Sequence, residues 1–359
     1  MCGIVGFSNF NGTMSYEESQ KILYNMNKTL TRRGPDEDGL YIKKDICIGH
    51  KRLIVIDPAG GKQPMIYNYQ GNDYVITYNG QIYNTDELKE TLKANEFTLE
   101  GHCDTEILLK AFIYYGYDVV KHLNGIFSFA IWNERKQELF LARDHFGVKP
   151  LFYAMKNNEL IFASEIKALL EFPSIFPTID EKGISELFGI GPAHTPGLTV
   201  FKGIEELKPA SFMIYNRSGI KIKKYWKMES KIHEDNFEIT CGKVRYLLND
   251  TIKKQLVSDV PLCIFLSGGL DSSIITAYAA NYCKENKLPA VNTFSVNYKD
   301  NDKNFQKTDF QPNSDEEYIN LISNKFKTNH NVIMLDTPEL EEALRDAVIA
   351  RDVPRNGRR

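Results

Sequence analysis

Apolar residues follow two different rhythms along this chain, and the change between them marks a change of architecture. The first part is strand-like. Gly3-Ile4-Val5-Gly6-Phe7 alternates small and apolar residues, and short apolar runs recur at 46–48, 53–56, 74–78, 127–132, 139–142 and 160–163. Turn signals such as Gly60-Gly61 and Asn157-Asn158 separate them. Helices interrupt the strands. Ser15-Tyr16-Glu17-Glu18 has capping-box spacing and leads into Ile22, Leu23, Met26 and Leu30 on one face, stopping before the rigid turn Arg33-Gly34-Pro35-Asp36. Residues 86–94 and 105–115 carry helical spacing as well. Such a strand-rich pattern predicts stacked antiparallel sheets covered by helices, an α+β domain.

Further on, strands and helices alternate. Leu262-Cys263-Ile264-Phe265-Leu266 is an unbroken apolar run, as in a parallel sheet buried on both faces. A helix is predicted over 274–283, a strand over 291–296, and a helix after Ser314-Asp315-Glu316-Glu317 carrying Ile319, Ile322 and Phe326. A third strand is expected over 331–335, and Thr337-Pro338 supplies an N-cap and an N1 proline for a last helix. This is the pattern of a doubly wound parallel sheet. The turn-rich stretch Gly189-Ile190-Gly191-Pro192-Ala193-His194-Thr195-Pro196-Gly197 approaches the join, and the charged stretch 229–238 holds it. The expected domains are therefore 2–228 and 229–359.

Composition narrows the function. At 359 residues two domains are the prior, and 42% hydrophobic with 25% charged residues is ordinary for a globular protein. A net charge of −3 offers no basic field for nucleic acid. The cysteines Cys2, Cys47, Cys103, Cys241, Cys263 and Cys283 have no metal-ligand spacing and are too sparse for a disulfide framework. No apolar run is long enough for a bilayer and no secretory leader is present, so a cytoplasmic, reduced setting without membrane partners is expected.

That setting suits a working thiol. If Met1 is removed, Cys2 carries both a thiol and a free α-amine, whose reference pKa values of about 8.5 and 7.7–8.0 let both exchange protons near neutrality. The plainer alternative is a small hydrophobe starting a buried strand. Downstream, Arg52, Asn79-Gly80, Asp104 and Arg143-Asp144 each break the apolar periodicity. Singly, each has an ordinary explanation: Asn-Gly as a hairpin turn, Asp104 as an N-cap, Arg52 as a solvated strand end.

Together they form a pattern. Cys2-Gly3-Ile4, Arg33-Gly34-Pro35-Asp36, His50-Lys51-Arg52-Leu53, Tyr78-Asn79-Gly80-Gln81-Ile82-Tyr83-Asn84, Arg143-Asp144 and Ala163-Ser164-Glu165-Ile166-Lys167-Ala168 stand in order. This part of the chain resembles the class II glutamine amidotransferase domain, an N-terminal-nucleophile hydrolase with an αββα sandwich. The resemblance implies that Cys2 attacks the amide of glutamine, forming a thioester, with its own amine moving the proton. It implies an oxyanion hole from the Asn79 amide and the Gly80 N–H. Arg52 would hold the α-carboxylate and Asp104 the α-ammonium, with Leu53, Ile54, Val55, Ile56 and Gln81 completing the pocket.

Ser267-Gly268-Gly269-Leu270-Asp271-Ser272-Ser273 follows the apolar run at 262–266, offering backbone N–H groups and a helix N-terminus to an anion. No lysine is present, so it is not the Gly-x-x-x-x-Gly-Lys phosphate loop. It is similar to the Ser-Gly-Gly-x-Asp-Ser pyrophosphate loop of the ATP-pyrophosphatases. That resemblance implies ATP as co-substrate, with Leu266 and Val296 against the nucleotide. Ser267, Gly268, Gly269, Ser272 and Ser273 would meet its phosphates, and Asp271 would help position Mg²⁺. No metal site follows from spacing alone.

An amidotransferase domain followed by this loop is the order of glutamine-hydrolysing asparagine synthetases. In that family aspartate is adenylated by ATP, and ammonia from glutamine aminates the β-aspartyl-AMP. The implied partners are glutamine, aspartate and ATP, and a homodimer is allowed. β-Lactam synthetases share the order but commonly lack a working Cys2. Amidophosphoribosyltransferase and glutamate synthase share only the first domain. The resemblance runs to about Arg351-Asp352-Val353-Pro354 and departs at Arg355-Asn356-Gly357-Arg358-Arg359. A second nucleotide loop and aspartate-binding residues of the family are not in the chain. Truncation or a frameshift is the expectation, leaving a three-stranded sheet with an unpaired edge. Two alternatives stay open: a glutaminase-only fragment, and a non-catalytic fragment that associates with a complete synthetase.

Overall fold

The computed structural model describes residues 1–190, 194–306 and 314–352. The expected turn residues Gly191, Pro192 and Ala193, and the departing tail 355–359, lie outside the described residues. The chain divides into two compact units, Met1–Ser230 with Val348–Arg359, and Lys231–Ala347.

In chain order the first unit comprises β1 (Gly3–Ser8), α1 (Tyr16–Thr29), β2 (Glu37–Ile42), β3 (Ile46–Arg52), β4 (Met65–Tyr69) and β5 (Asn72–Ile82). Then come α2 (Thr85–Ala94), α3 (Asp104–Tyr115), β6 (Gly125–Asn133), β7 (Glu138–Arg143), β8 (Phe152–Lys156) and β9 (Glu159–Ala163). The unit continues through α4 (Ile166–Leu170), α5 (Glu181–Gly189), β10 (Ile204–Glu206), β11 (Ser211–Asn216) and β12 (Gly219–Lys224). Its strands form two six-stranded antiparallel sheets, ordered β10-β8-β9-β1-β3-β2 and β12-β11-β7-β6-β5-β4.

Three apolar layers hold these sheets. Ile4, Ile48, Trp132, Leu141, Phe162 and Met213 pack between them. Val5, Phe7, Leu23, Met26 and Leu169 join the first sheet to α1 and α4. Ile107, Leu108, Phe112, Phe129 and Phe140 join the second sheet to α2 and α3. The result is an αββα sandwich, as the resemblance implied. Each fully buried Leu, Ile or Phe contributes about 1.5–3 kcal/mol from water exclusion, so the sandwich fixes its strand ends firmly. Helix α1 starts as its spacing predicts: Ser15 accepts from Glu18 N and Glu18 reaches back to Ser15 N.

One expectation and two of the single-residue alternatives fail here. Residues 53–56, apolar enough for a strand, form none, because Leu53 N turns to the Cys2 sulfur and Ile54 N to the Asp36 carboxylate. Asn79-Gly80 is no turn but lies within β5, paired with Ser128 and Phe127 of β6. Cys103, not Asp104, caps α3: its sulfur accepts from Glu106 N, and Asp104 is the first helical residue.

The second unit contains α6 (Phe237–Gln255), β13 (Cys263–Phe265), α7 (Leu270–Glu285), β14 (Asn292–Tyr298), α8 (Asn301–Asn304), α9 (Asp315–Phe326) and β15 (Asn329–Leu335). It also takes most of α10 (Thr337–Arg351). The sheet is parallel, ordered β13-β14-β15. It is not buried on both faces: Phe265 is 71% exposed, and Val332 and Met334 are exposed too. No helix among the described residues is long and apolar enough to cross a membrane.

Candidate active site

The central strand β1 of the first sheet runs back to Cys2, and β3 alongside it ends at Arg52. The Cys2 sulfur meets the first residue after β3, accepting from Leu53 N at 3.4 Å and donating to Leu53 O at 3.7 Å. Arg33 fixes the backbone here, donating from Nε to Cys2 O at 2.9 Å while Nη1 pairs with Glu165. Burial raises the Cys2 thiol above its ordinary value, opposed by the Leu53 bond, the N-terminus and Arg52. The amine of Met1 is lowered, first by burial, then with Arg33 and Lys149 acting against its charge.

Strand β5 of the second sheet supplies the opposite wall. Asn79 is buried, and its Nδ2 has no hydrogen-bond partner. An unpaired buried amide donor is costly, about 1–3 kcal/mol, and is characteristic of a group kept for a ligand. Backbone direction adds a second donor. Tyr78 N donates to Gln63 Oε1 at 2.7 Å and Ile82 N to Asp104 Oδ2 at 3.1 Å. Alternate N–H groups of a strand point the same way, so the Gly80 N–H between them faces the same side. A Cβ at residue 80 would lie 2.3 Å from Ile126 O, so close approach of β6 demands glycine there, apart from any need of a substrate.

Asp104, at the start of α3, accepts from Tyr78 Oη at 2.7 Å as well as from Ile82 N. Burial raises its carboxyl, with those hydrogen bonds pulling the other way. Arg52 is almost fully buried. Its Nη1 pairs with Glu37 at 2.7 Å and donates to Pro58 O, while Nη2 donates to Ile56 O and Asp57 O. Its fork is thus engaged by Glu37 of β2 and by the loop that follows β3.

These groups line a cavity of about 160 Å³. Cys2, Arg52, Leu53, Val55, Ile56, Asn79, Gly80, Gln81 and Asp104 all line it. Ile54 does not; its N–H is held by Asp36 at 2.8 Å. Sequence reasoning missed Gln63, Tyr78, Thr105 and Lys149 on the same wall. Lys149 is buried with Nζ 3.1 Å from the Met1 sulfur, and burial lowers its pKa, followed by Arg33. It stands in the run after Arg143-Asp144, where a lysine among apolar and turn residues was the available signal.

In the second unit the turn after β13 runs Ser267-Gly268-Gly269 into α7. Gly268 has φ +75°, and a Cβ there would stand 2.8 Å from Asp315 O, so only glycine fits. Gly269 caps α7 without a side-chain bond, leaving first-turn N–H groups for an anion. Ser267 N donates to Ser272 Oγ at 3.2 Å, which donates to Gly269 O, pinning the loop. Asp271 and Ser273 stand in the first helical turn. Leu266 is buried with its N–H on Phe294 O, whereas Val296 is exposed on β14. Among the described residues no group of three or more His, Cys, Asp or Glu could hold a metal ion.

Comparison with known families finds a match for each part of the chain. The family described as "Glutamine amidotransferase domain" matches residues 1–226. The chain belongs to the glutamine amidotransferase family. A second family, "Asparagine synthase", matches residues 243–359 of this amidotransferase. The chain is 45% identical over 355 residues to asparagine synthetase [glutamine-hydrolyzing] 3 of Bacillus subtilis, covering 99% of this chain and 57% of that protein. It is 34% identical over 300 residues to asparagine synthetase [glutamine-hydrolyzing] 1 of the same organism, covering 83% of this chain and 46% of that protein. This amidotransferase chain therefore spans about half the length of the curated relatives it matches.

Proposed function

We propose that the chain contributes glutamine hydrolysis to glutamine-dependent asparagine synthesis, with residues 2–228 as the glutaminase domain and 229–359 as part of the ATP-using synthetase domain. The observation that carries the first half is the unpartnered, buried Asn79 Nδ2 in the lining of the same cavity as the Cys2 sulfur.

The chemistry follows from the groups present. Removal of Met1 gives Cys2 the terminal amine, which takes the thiol proton as sulfur bonds to the amide carbon of glutamine. The oxygen that becomes negative is received by Asn79 Nδ2 and the Gly80 N–H. The ammonium returns its proton to the departing nitrogen, the C–N bond breaks, and ammonia leaves a thioester. Water, deprotonated by the same amine, releases glutamate. Asp104 meets the α-ammonium, and Arg52 supplies positive charge near the α-carboxylate. Glutamate is refused as substrate because its carboxylate brings an anion where the hole expects a carbonyl.

The synthetase half of the proposal rests on the Gly268 turn and the open first turn of α7, which fit the phosphates of ATP. Mg²⁺, which neutralises phosphate charge, would be held by the nucleotide with Asp271 adding a carboxylate. Aspartate would be the acceptor of the ammonia, in the cytoplasm, where a free thiol persists. A glutaminase-only reading is favoured by one observation, the exposed apolar sheet of the second unit, with Phe265, Val332 and Met334 open to water.

The test is to measure glutamate release and asparagine formation in parallel, with Cys2→Ala as control. Glutamate release lost in the variant supports the glutaminase; release that persists refutes it. Asparagine formed from aspartate, ATP and glutamine supports the synthetase reading, and glutamate alone supports the narrower one.

A further inference from the structure

We infer that Asp57 is a positioning residue that sets the distance between Arg52, whose charge lies near the α-carboxylate of glutamine, and Asp104, which meets its α-ammonium. The inference rests on the glutamine-pocket reading above. Asp57 lies in the loop after β3, is 6% exposed, and does not line the cavity itself. Its φ is +48°, in the left-handed region that aspartate adopts more readily than most non-glycine residues.

That conformation lets one residue face two ways. Its main-chain oxygen accepts from Arg52 Nη2 at 2.6 Å and from Gly61 N at 3.0 Å. Its carboxylate turns toward the segment that leads into α3. Oδ1 accepts from Gly60 N at 2.7 Å, and Oδ2 accepts from His102 N at 3.2 Å and lies 3.5 Å from His102 Nδ1. The Cys103 N–H bonds the carboxylate as well, and these bonds keep it ionised against the effect of burial. Cys103 is the cap of α3, and the next residue is Asp104. A Cβ on Gly101 would stand 2.6 Å from Oδ2, so the segment closes on the carboxylate without slack.

Asp57 thus holds the guanidinium of Arg52 at one end and the backbone just before Asp104 at the other. Two neighbouring contacts run beside it, Cys103 Sγ to Gly60 O at 3.9 Å and Gln63 Nε2 to Thr105 Oγ1 at 3.2 Å. Neither touches Arg52. Without this carboxylate the loop would let the two groups drift apart by less than the ~1 Å that costs about 10²-fold in such sites, so a smaller loss of about tenfold is expected.

The experiment compares Asp57→Asn with the parent chain on two substrates, glutamine and 4-carbamoylbutanoate, which is glutamine without its α-amino group. The expected result is a KM for glutamine raised roughly tenfold with kcat little changed, and a preference for glutamine over the analogue reduced by roughly the same factor. A residue that only stabilises the fold would lower the active fraction equally for both substrates, leaving KM and preference where they were; that result overturns the inference. Should Asp57→Asn fail to fold, Gly101→Ala displaces the same carboxylate while keeping it, and the same two readouts decide. Parent protein without Cys2-dependent hydrolysis would sink the pocket reading itself. Hydrolysis in the parent with an unmoved preference in the variants sinks only the role of Asp57.

Discussion

Replacing Asn79 with alanine should separate catalysis from stability, because the amide nitrogen it removes is buried without a partner in the folded protein. Loss of one oxyanion donor costs about 10²–10³ in kcat, or roughly 2.7–4 kcal/mol of transition-state stabilisation. An ordinary buried asparagine would cost stability as well. Here Nδ2 is buried without a partner, so the folded state already bears a desolvation cost of about 1–3 kcal/mol that the variant relieves. The space left by the shortened side chain opposes this, by a cavity cost of similar order. The two nearly cancel. Glutamate release under saturating glutamine gives the first quantity, and urea unfolding followed by circular dichroism gives the second. A variant that loses more than about 2 kcal/mol of stability while keeping more than about a tenth of its activity would refute the reasoning, because Nδ2 would then have a structural partner and no catalytic one.

Other consequences follow from the buried charges and the nucleotide turn. Asp104→Asn should raise the KM for glutamine while stabilising the unliganded protein at neutral pH. The Asp104 carboxyl is raised on folding, so its ionisation costs stability as pH climbs from the ordinary carboxylate value of about 3.9 through the raised one. The gain should vanish below that window, as thermal melts at several pH values would reveal. His50, buried against Thr77 between the sheets with its pKa pushed down to about 3, behaves oppositely. It supports the fold above pH ~6.5, and roughly 3 kcal/mol should be lost on going two units below that, a loss that His50→Gln would abolish. Equal acid sensitivity of parent and variant would contradict this assignment. Gly268→Ala should weaken ATP binding in calorimetry and leave glutamate release unchanged, since its Cβ would meet Asp315 O while the glutaminase lies in the other unit.

Much of the sandwich was legible because its strands bury one clear set of apolar residues, and the α1 capping box was readable to the residue. What misled was apolarity serving a site. Residues 53–56 have the composition of a strand, yet their N–H groups turn to the Cys2 sulfur and Asp36, and such bonds leave no sequence pattern. Asn79-Gly80 has the signature of a hairpin and instead continues β5, because pairing with Ser128 and Phe127 overrides local preference. Helix α6 went unpredicted since its only buried residue is Ile252, so no apolar stripe marks it. The polar members of the pocket were visible as breaks in periodicity. Gln63 was not, because only folding brings it into the cavity lining, and Lys149 showed only as a lysine among apolar and turn residues after Arg143-Asp144.

Whether a mature N-terminal cysteine performs the hydrolysis can be read in one mass spectrum. Active protein is treated with a glutamine-like diazoketone, which alkylates a nucleophile seated in the glutamine pocket, and is then digested and sequenced. The adduct should sit on the sulfur of a peptide that begins at Cys2, and free glutamine should protect against it. A label found elsewhere, or active protein whose first peptide still begins at Met1, would contradict the account.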